Sequence, residues 1–152
     1  MTAQTGRTNA RWLGVFLDNG SGTLTDLSSY ISEVSQFGLT YDTTDVTAFA
    51  DAVKNITIGK PGAPITLTGP LDTTLITHVS AINGVSTPLT LDLRMGIRHA
   101  WEAGEPQFGI TSSSTVGYVV HSMTVDWMNQ KLSLNLDVMG ATAPAFGTAA
   151  ET

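Results

Sequence analysis

The stretch MTVDWMNQKLSLNLDVMG, Met123–Gly140, decides how this chain folds. Leu132, Leu134, Leu136 and Val138 alternate with Ser133, Asn135 and Asp137, the period of two that puts one set on each face of a strand. Just upstream, Met123, Val125 and Trp127 alternate with Ser122, Thr124 and Asp126, and Met128-Asn129-Gln130 supplies a natural hairpin connection. Two long strands with one apolar face each need a second layer to cover that face. A packed β-structure is the expectation.

Working outward, Leu89–Arg94 and Ile65–Gly69 alternate in the same way. Trp12–Asp18 reads as a strand ended by the turn residues Asn19-Gly20-Ser21-Gly22. Leu24–Leu27 leads into a strand over Tyr30–Phe37 whose facing the pattern leaves open. Leu39–Thr47 is polar but β-branched, suited to an exposed or edge strand. Ile97–Phe108 is mixed and turn-bearing. One helix is expected: Asp72 or Thr73 is a good N-cap, Leu75, Ile76, Val79 and Ile82 follow helical spacing, and Gly84 is placed to stop it. Phe49–Pro64 carries Gly59, Pro61, Gly62 and Pro64 in quick succession and reads as a long loop, a feature that usually carries contacts. The expected layout is an N-terminal arm over 1–11, a domain over 12–140 containing an inter-subunit loop over 48–64, and a C-terminal arm over 141–152. The fold class is mainly β: a β-sandwich or partly open barrel of seven or eight strands with one flanking α-helix.

Composition narrows the chemistry. The chain has 152 residues, enough for one domain with its own core, and its 23 threonines and 15 glycines favour strands and turns. The absence of cysteine excludes disulfides, thiol nucleophiles and cysteine-held metals. A net charge of −6, with four arginines and three lysines that do not cluster, argues against a protein that grips phosphates. His78, His99 and His121 are scattered, no H-E-x-x-H or G-x-S-x-G motif occurs, and Asp42 and Asp45 stand three apart, on opposite faces of a strand. No catalytic residue, cofactor or metal is therefore expected, and the chain does not read as an enzyme. The opening MTAQTGRTNA has no apolar core of a signal peptide, and the longest apolar runs, such as Trp12–Leu17, are too short to span a bilayer. Asn19-Gly20-Ser21 and Asn55-Ile56-Thr57 read as chance sequons, and folding in a reducing cytoplasm is expected.

The candidate edge strands, Leu39–Thr47 and Val116–Thr124, are poor in the lysines and prolines that normally guard a sheet edge. An unguarded edge is a hazard in a monomer and an interface in an assembly. With two arms and a long Gly/Pro loop, the chain reads as one built to join copies of itself.

The order of several segments resembles the major tail tube proteins of long-tailed bacteriophages. These segments are Asp26-Leu-Ser-Ser-Tyr30-Ile31, Tyr41-Asp-Thr-Thr-Asp45-Val46-Thr47-Ala-Phe49, Lys54–Gly59 and Ile65-Thr-Leu-Thr-Gly69-Pro-Leu-Asp72. Gly104-Glu-Pro-Gln-Phe108, Tyr118–Asp126 and Ala143-Pro-Ala-Phe146-Gly147-Thr148 extend the resemblance over most of residues 12–148. It implies a structural virion protein whose six copies close into a ring with one continuous inner barrel, the rings stacking into the conduit for genome DNA. It also implies tail tip, terminator and tape-measure proteins as partners, no membrane, DNA that passes without specific binding, and a virion tail location after synthesis in the host bacterial cytoplasm. The stacking contact would fall on the loop, at Phe49, Asp51, Lys54, Ile58 and Lys60, while Asp126, Asn135 and Asp137 are the candidates for a polar lumen. The alternative within the same fold is a head decoration protein bound to the capsid surface.

Overall fold

The computed structural model describes residues 13–96 and 106–148. In chain order these form β1 (Leu13–Asp18), β2 (Leu24–Asp26), β3 (Glu33–Val34), β4 (Thr40–Asp45), β5 (Ile56–Gly62), β6 (Ile65–Pro70), α1 (Thr73–Ile82), β7 (Leu91–Met95), β8 (Pro106–Ile110), β9 (Gly117–Asp126), β10 (Lys131–Met139) and β11 (Ala145–Thr148).

One sheet is organised around β10. β10 pairs antiparallel with β9 on one side and β6 on the other, and β3 adds to β6, giving the order β3-β6-β10-β9. The register sorts the side chains into rows. Val34, Leu67, Leu134 and Met123 lie across the four strands on the inner face, and Glu33, Thr68, Ser133 and Thr124 lie across them on the outer face. Leu132, Leu134 and Leu136 are fully buried. A second sheet, ordered β11-β8-β7-β1-β2, contributes Val15, Leu17, Leu91, Leu93 and Phe108 to the same core. The result is a sandwich of two open sheets, mainly β with one short helix.

The helix stands where its spacing put it. Asp72 is the N-cap, accepting from the backbone N–H groups of Thr74 at 2.8 Å and Leu75 at 3.4 Å, and such a cap contributes about 1 kcal/mol. Leu75, Val79 and Ile82 are buried and Ile76 packs at the margin of the core. Gly84, at φ +74°, takes the left-handed conformation that ends the segment.

Four expectations change. The stretch Ile56–Gly62, read as loop, is a strand: it pairs with β4 to make a separate two-stranded sheet, so the connection shrinks to residues 46–55. Gly59 sits at the register shift in this hairpin, opposite Asp42, so the glycine that looked like a loop signal marks a bulge. Residues 145–148, read as part of a terminal arm, are β11, held against β8 by a cluster in which the Phe146 ring lies 4.6 Å from Phe108 and 6.3 Å from Phe37. Eleven strands are present among the described residues instead of seven or eight, because β2, β3 and β11 are too short to show an alternation. The strand expected over Tyr30–Phe37 is reduced to the two residues of β3. The arm over 1–11 and the segment 97–105 lie outside the described residues.

One buried polar pair had no signal in the pattern. Asp92 is 6% exposed, its Oδ2 lies 3.2 Å from Arg94 Nε, and the Arg94 guanidinium stands 5.2 Å from the centre of the Phe16 ring.

Truncating the centre of the leucine ladder is the sharpest test of this packing. Leu134→Ala should lose about 3 kcal/mol in urea unfolding, while Ser133→Ala on the opposite face, which gives up only a 3.1 Å hydroxyl contact with Thr68, should lose about 1 kcal/mol or less.

Candidate assembly surface

The β4–β5 hairpin stands apart from both large sheets. Every residue of β4 and of Ile56–Lys60 is exposed, including the apolar Tyr41, Ile56 and Ile58, and its connection adds Val46, Phe49 and Val53. Isolated two-stranded hairpins are marginal in water, so local chemistry has to hold this one. At its base, Ala63 is clasped from two sides: its carbonyl accepts from the Tyr118 hydroxyl at 3.1 Å, and its N–H donates to Asp137 Oδ1 at 3.4 Å. Burial, and the nearby Asp137 charge, push the Tyr118 phenol well above its ordinary value, so it stays a donor. A concavity of about 400 Å³ at the same base is lined by Leu39, Lys60, Pro61, Val138 and residues 140–143.

At its tip, short polar side chains replace the missing core. Asp45 Oδ1 accepts from Thr47 N–H at 2.9 Å, and Thr47 Oγ1 accepts from Asn55 N–H at 2.8 Å. Asp51 Oδ2 accepts from Ala48 N–H at 2.7 Å. Hydrogen bonds from the Thr47 side chain and backbone hold the Asp45 carboxyl below the ordinary carboxylate range. The Ala48 N–H, then the Asn55 side chain, do the same for Asp51. The crest these bonds order carries Phe49 with its ring entirely in solvent.

The five residues expected on the loop therefore share one hairpin in different roles. Phe49 and Ile58 are exposed apolar groups, Asp51 orders the tip, Lys54 lies 3.9 Å from Asp45 on the surface, and Lys60 borders the concavity at the base. Asp126, Asn135 and Asp137 share the outer face of the β3-β6-β10-β9 sheet but do not gather into a site. Asp126 accepts from Asn129 Nδ2 at 2.7 Å beside the β9–β10 turn, Asn135 accepts from Thr66 Oγ1 at 2.6 Å, and Asp137 is spent on the hairpin base. Between them the face is a ladder of hydroxyls and amides. Lys131 is the one lysine or arginine in that sheet, and it is flanked by Glu33 at 3.2 Å and by Asp126 directly across the strand pair.

One feature escaped the sequence reading. Trp127 and Met128, at the corner of the β9–β10 turn, are 70% and 89% exposed although the alternation of β9 runs up to them. The edge strand expected over Val116–Thr124 falls on β9: among the described residues its outer edge is bridged in its first half, where Leu89 and Asn83 meet Tyr118 and Val120, and His121 to Asp126 have no strand partner on that side. Among the described residues no group of three or more acidic or histidine side chains is placed to hold a metal ion.

No family model matches the chain, and no curated protein matches it. Solved structures do. A tube-terminating cap of the anti-feeding prophage superimposes with a TM-score of 0.63 at 13% identity, over 98% of this chain and 96% of that one. This is a phage tail tube fold. A chain of the tail of an empty gene transfer agent particle, refined with C6 symmetry, shares it at a TM-score of 0.56 and 17% identity, over 93% of this chain and 99% of that one. So does a chain of an extracellular contractile injection system's sheath–tube complex in the extended state, at 0.57 and 14%, over 97% and 100%.

The tip chemistry of the hairpin makes it acid-sensitive. Asp45 and Asp51 have lowered values in the folded state, so their contribution is present at neutral pH and is lost as pH falls through those values. In an NMR titration the Thr47 and Ala48 amide signals should shift together below about pH 4, and Asp51→Asn should abolish the Ala48 response while sparing Thr47.

Proposed function

We propose that this chain is a tube subunit of a phage or phage-derived tail, a structural protein whose copies close into six-membered rings and stack into a hollow conduit. The observation that carries this reading is the β4–β5 hairpin, which exposes Phe49, Val53, Ile56 and Ile58 to water on a two-stranded sheet without a core of its own. Such a surface needs a partner, and the tail assemblies that share the fold supply the precedent of a second copy. Ring closure is supported by the sheet edges: β9, without a strand partner from His121 to Asp126 among the described residues, ends the sheet at one margin, and the two-residue β3 ends it at the other. Pairing of these two edges between neighbours would make one continuous barrel. The outer face of that sheet would then line the channel, presenting Thr66, Thr68, Ser133 and Asn135, with the lone lysine neutralised by Glu33 and Asp126. DNA could slide past such a wall without being held. The tail tip, terminator and tape-measure proteins are the further partners this role implies, and the virion tail the location.

A terminal ring is the second reading, because a tube-terminating cap shares the fold over nearly the whole chain. A cap needs one stacking face and a tube subunit needs two.

Negative-stain electron microscopy of the purified protein at high concentration separates these roles. Stacked hollow rings or open-ended tubes are expected. Single six-fold rings that never grow would favour the cap, and compact trimers that bind only to capsids would move the protein to the head. Removing residues 48–53 should leave the circular dichroism spectrum of the sandwich intact and abolish tube growth; normal tubes from that deletion would sink the proposal.

A further inference from the structure

We infer that the β9–β10 turn, Trp127–Gln130, is the surface that receives the β4–β5 hairpin of a second copy in the next ring. This rests on the tube reading above and adds where the partner copy is held. The first observation is placement. The hairpin leaves the sandwich through Ala63 and Pro64, at the end of the sheet where Ile65 pairs with Leu136. The turn lies at the other end, where Pro70 pairs with Lys131 and Lys131 with Asp126. Two unlike apolar groups at opposite ends of one sheet make a head-to-tail contact, which repeats along an axis and does not close on itself as a pair of identical faces would.

The second observation is rigidity. Gln130 holds φ +54°, its side-chain Nε2 donates to the Trp127 carbonyl at 2.7 Å, Asn129 N–H donates to Asp126 Oδ1 at 3.2 Å, and Leu71 N–H donates to the Gln130 carbonyl at 2.9 Å. The turn is thus pinned both to its own strand and to the segment that starts α1, while Trp127 and Met128 stand in solvent. Large apolar side chains on an already ordered backbone lose little freedom on docking and are the residue types that anchor interfaces. Nothing in the subunit's own core uses them.

The chain has no cysteine, so a thiol pair reports this contact cleanly. In Ala50→Cys/Met128→Cys, mild oxidation of the assembled protein should give a ladder of dimers, trimers and longer chains on a denaturing gel, because each copy offers one thiol at each end. Either single variant should stay monomeric, because a head-to-tail contact brings its one thiol against no other thiol. Trp127→Asp, with its fold checked by circular dichroism, should slow tube elongation at least tenfold and leave rings. Wild-type tubes together with normal growth of Trp127→Asp, or with a double variant that stops at dimers, would overturn this inference and leave the tube reading standing. A wild-type protein that forms neither stacked rings nor, as the double variant, any ladder would overturn both.

Discussion

The alternation along β10 is the constraint on which the rest depends. Its inward leucines, Leu132, Leu134 and Leu136, are fully buried, and burying each contributes about 2 kcal/mol. A slip of one residue would turn all three to solvent and bring Ser133, Asn135 and Asp137 into the core. Because β10 is a central strand, its register also sets β6 and β9. Fixing that register fixes where the hairpin base, the open edge and the β9–β10 turn fall.

Both faces of this sheet are used, and they are used differently. The inner face is a packed interior shared with the second sheet and α1. The outer face ties its polar side chains to one another, Thr66 to Asn135 and Thr68 to Ser133, and these groups are uncharged. A surface of that kind suits a wall better than a binding site. The apolar groups a binding surface needs are concentrated instead at the two ends, on structures held by local polar networks rather than by the core.

That division of labour would let a subunit of the proposed tube stay folded before it assembles. The sandwich has a buried core of its own, whereas the hairpin tip depends on Asp45, Thr47 and Asp51 to stay shaped. The proposed interface is thereby ordered in advance without being buried. The cost is a pair of exposed apolar ends that water tolerates poorly until a partner covers them.

Much of this was legible in the sequence because it depends on local periodicity. The period of two in Lys131–Gly140 and Ile65–Gly69, and the capped period of 3.6 from Asp72 to Ile82, dictated the main strands, the helix and the inward residues by the geometry of the backbone alone. The Gly and Pro positions of 59–64 were read as a loop, and there local signals misled: a bulge and an edge position accommodate both residues in a strand whose partner is far from them in spacing rules but adjacent in space. Likewise Asp137 reads as a free polar residue in its alternation, yet its carboxylate is committed to Ala63, 74 positions away. Trp127 continues an inward-facing pattern but stands in water, because the core ends before the strand does. Periodicity says which side of a strand a residue takes; only the tertiary structure decides what, if anything, lies on that side.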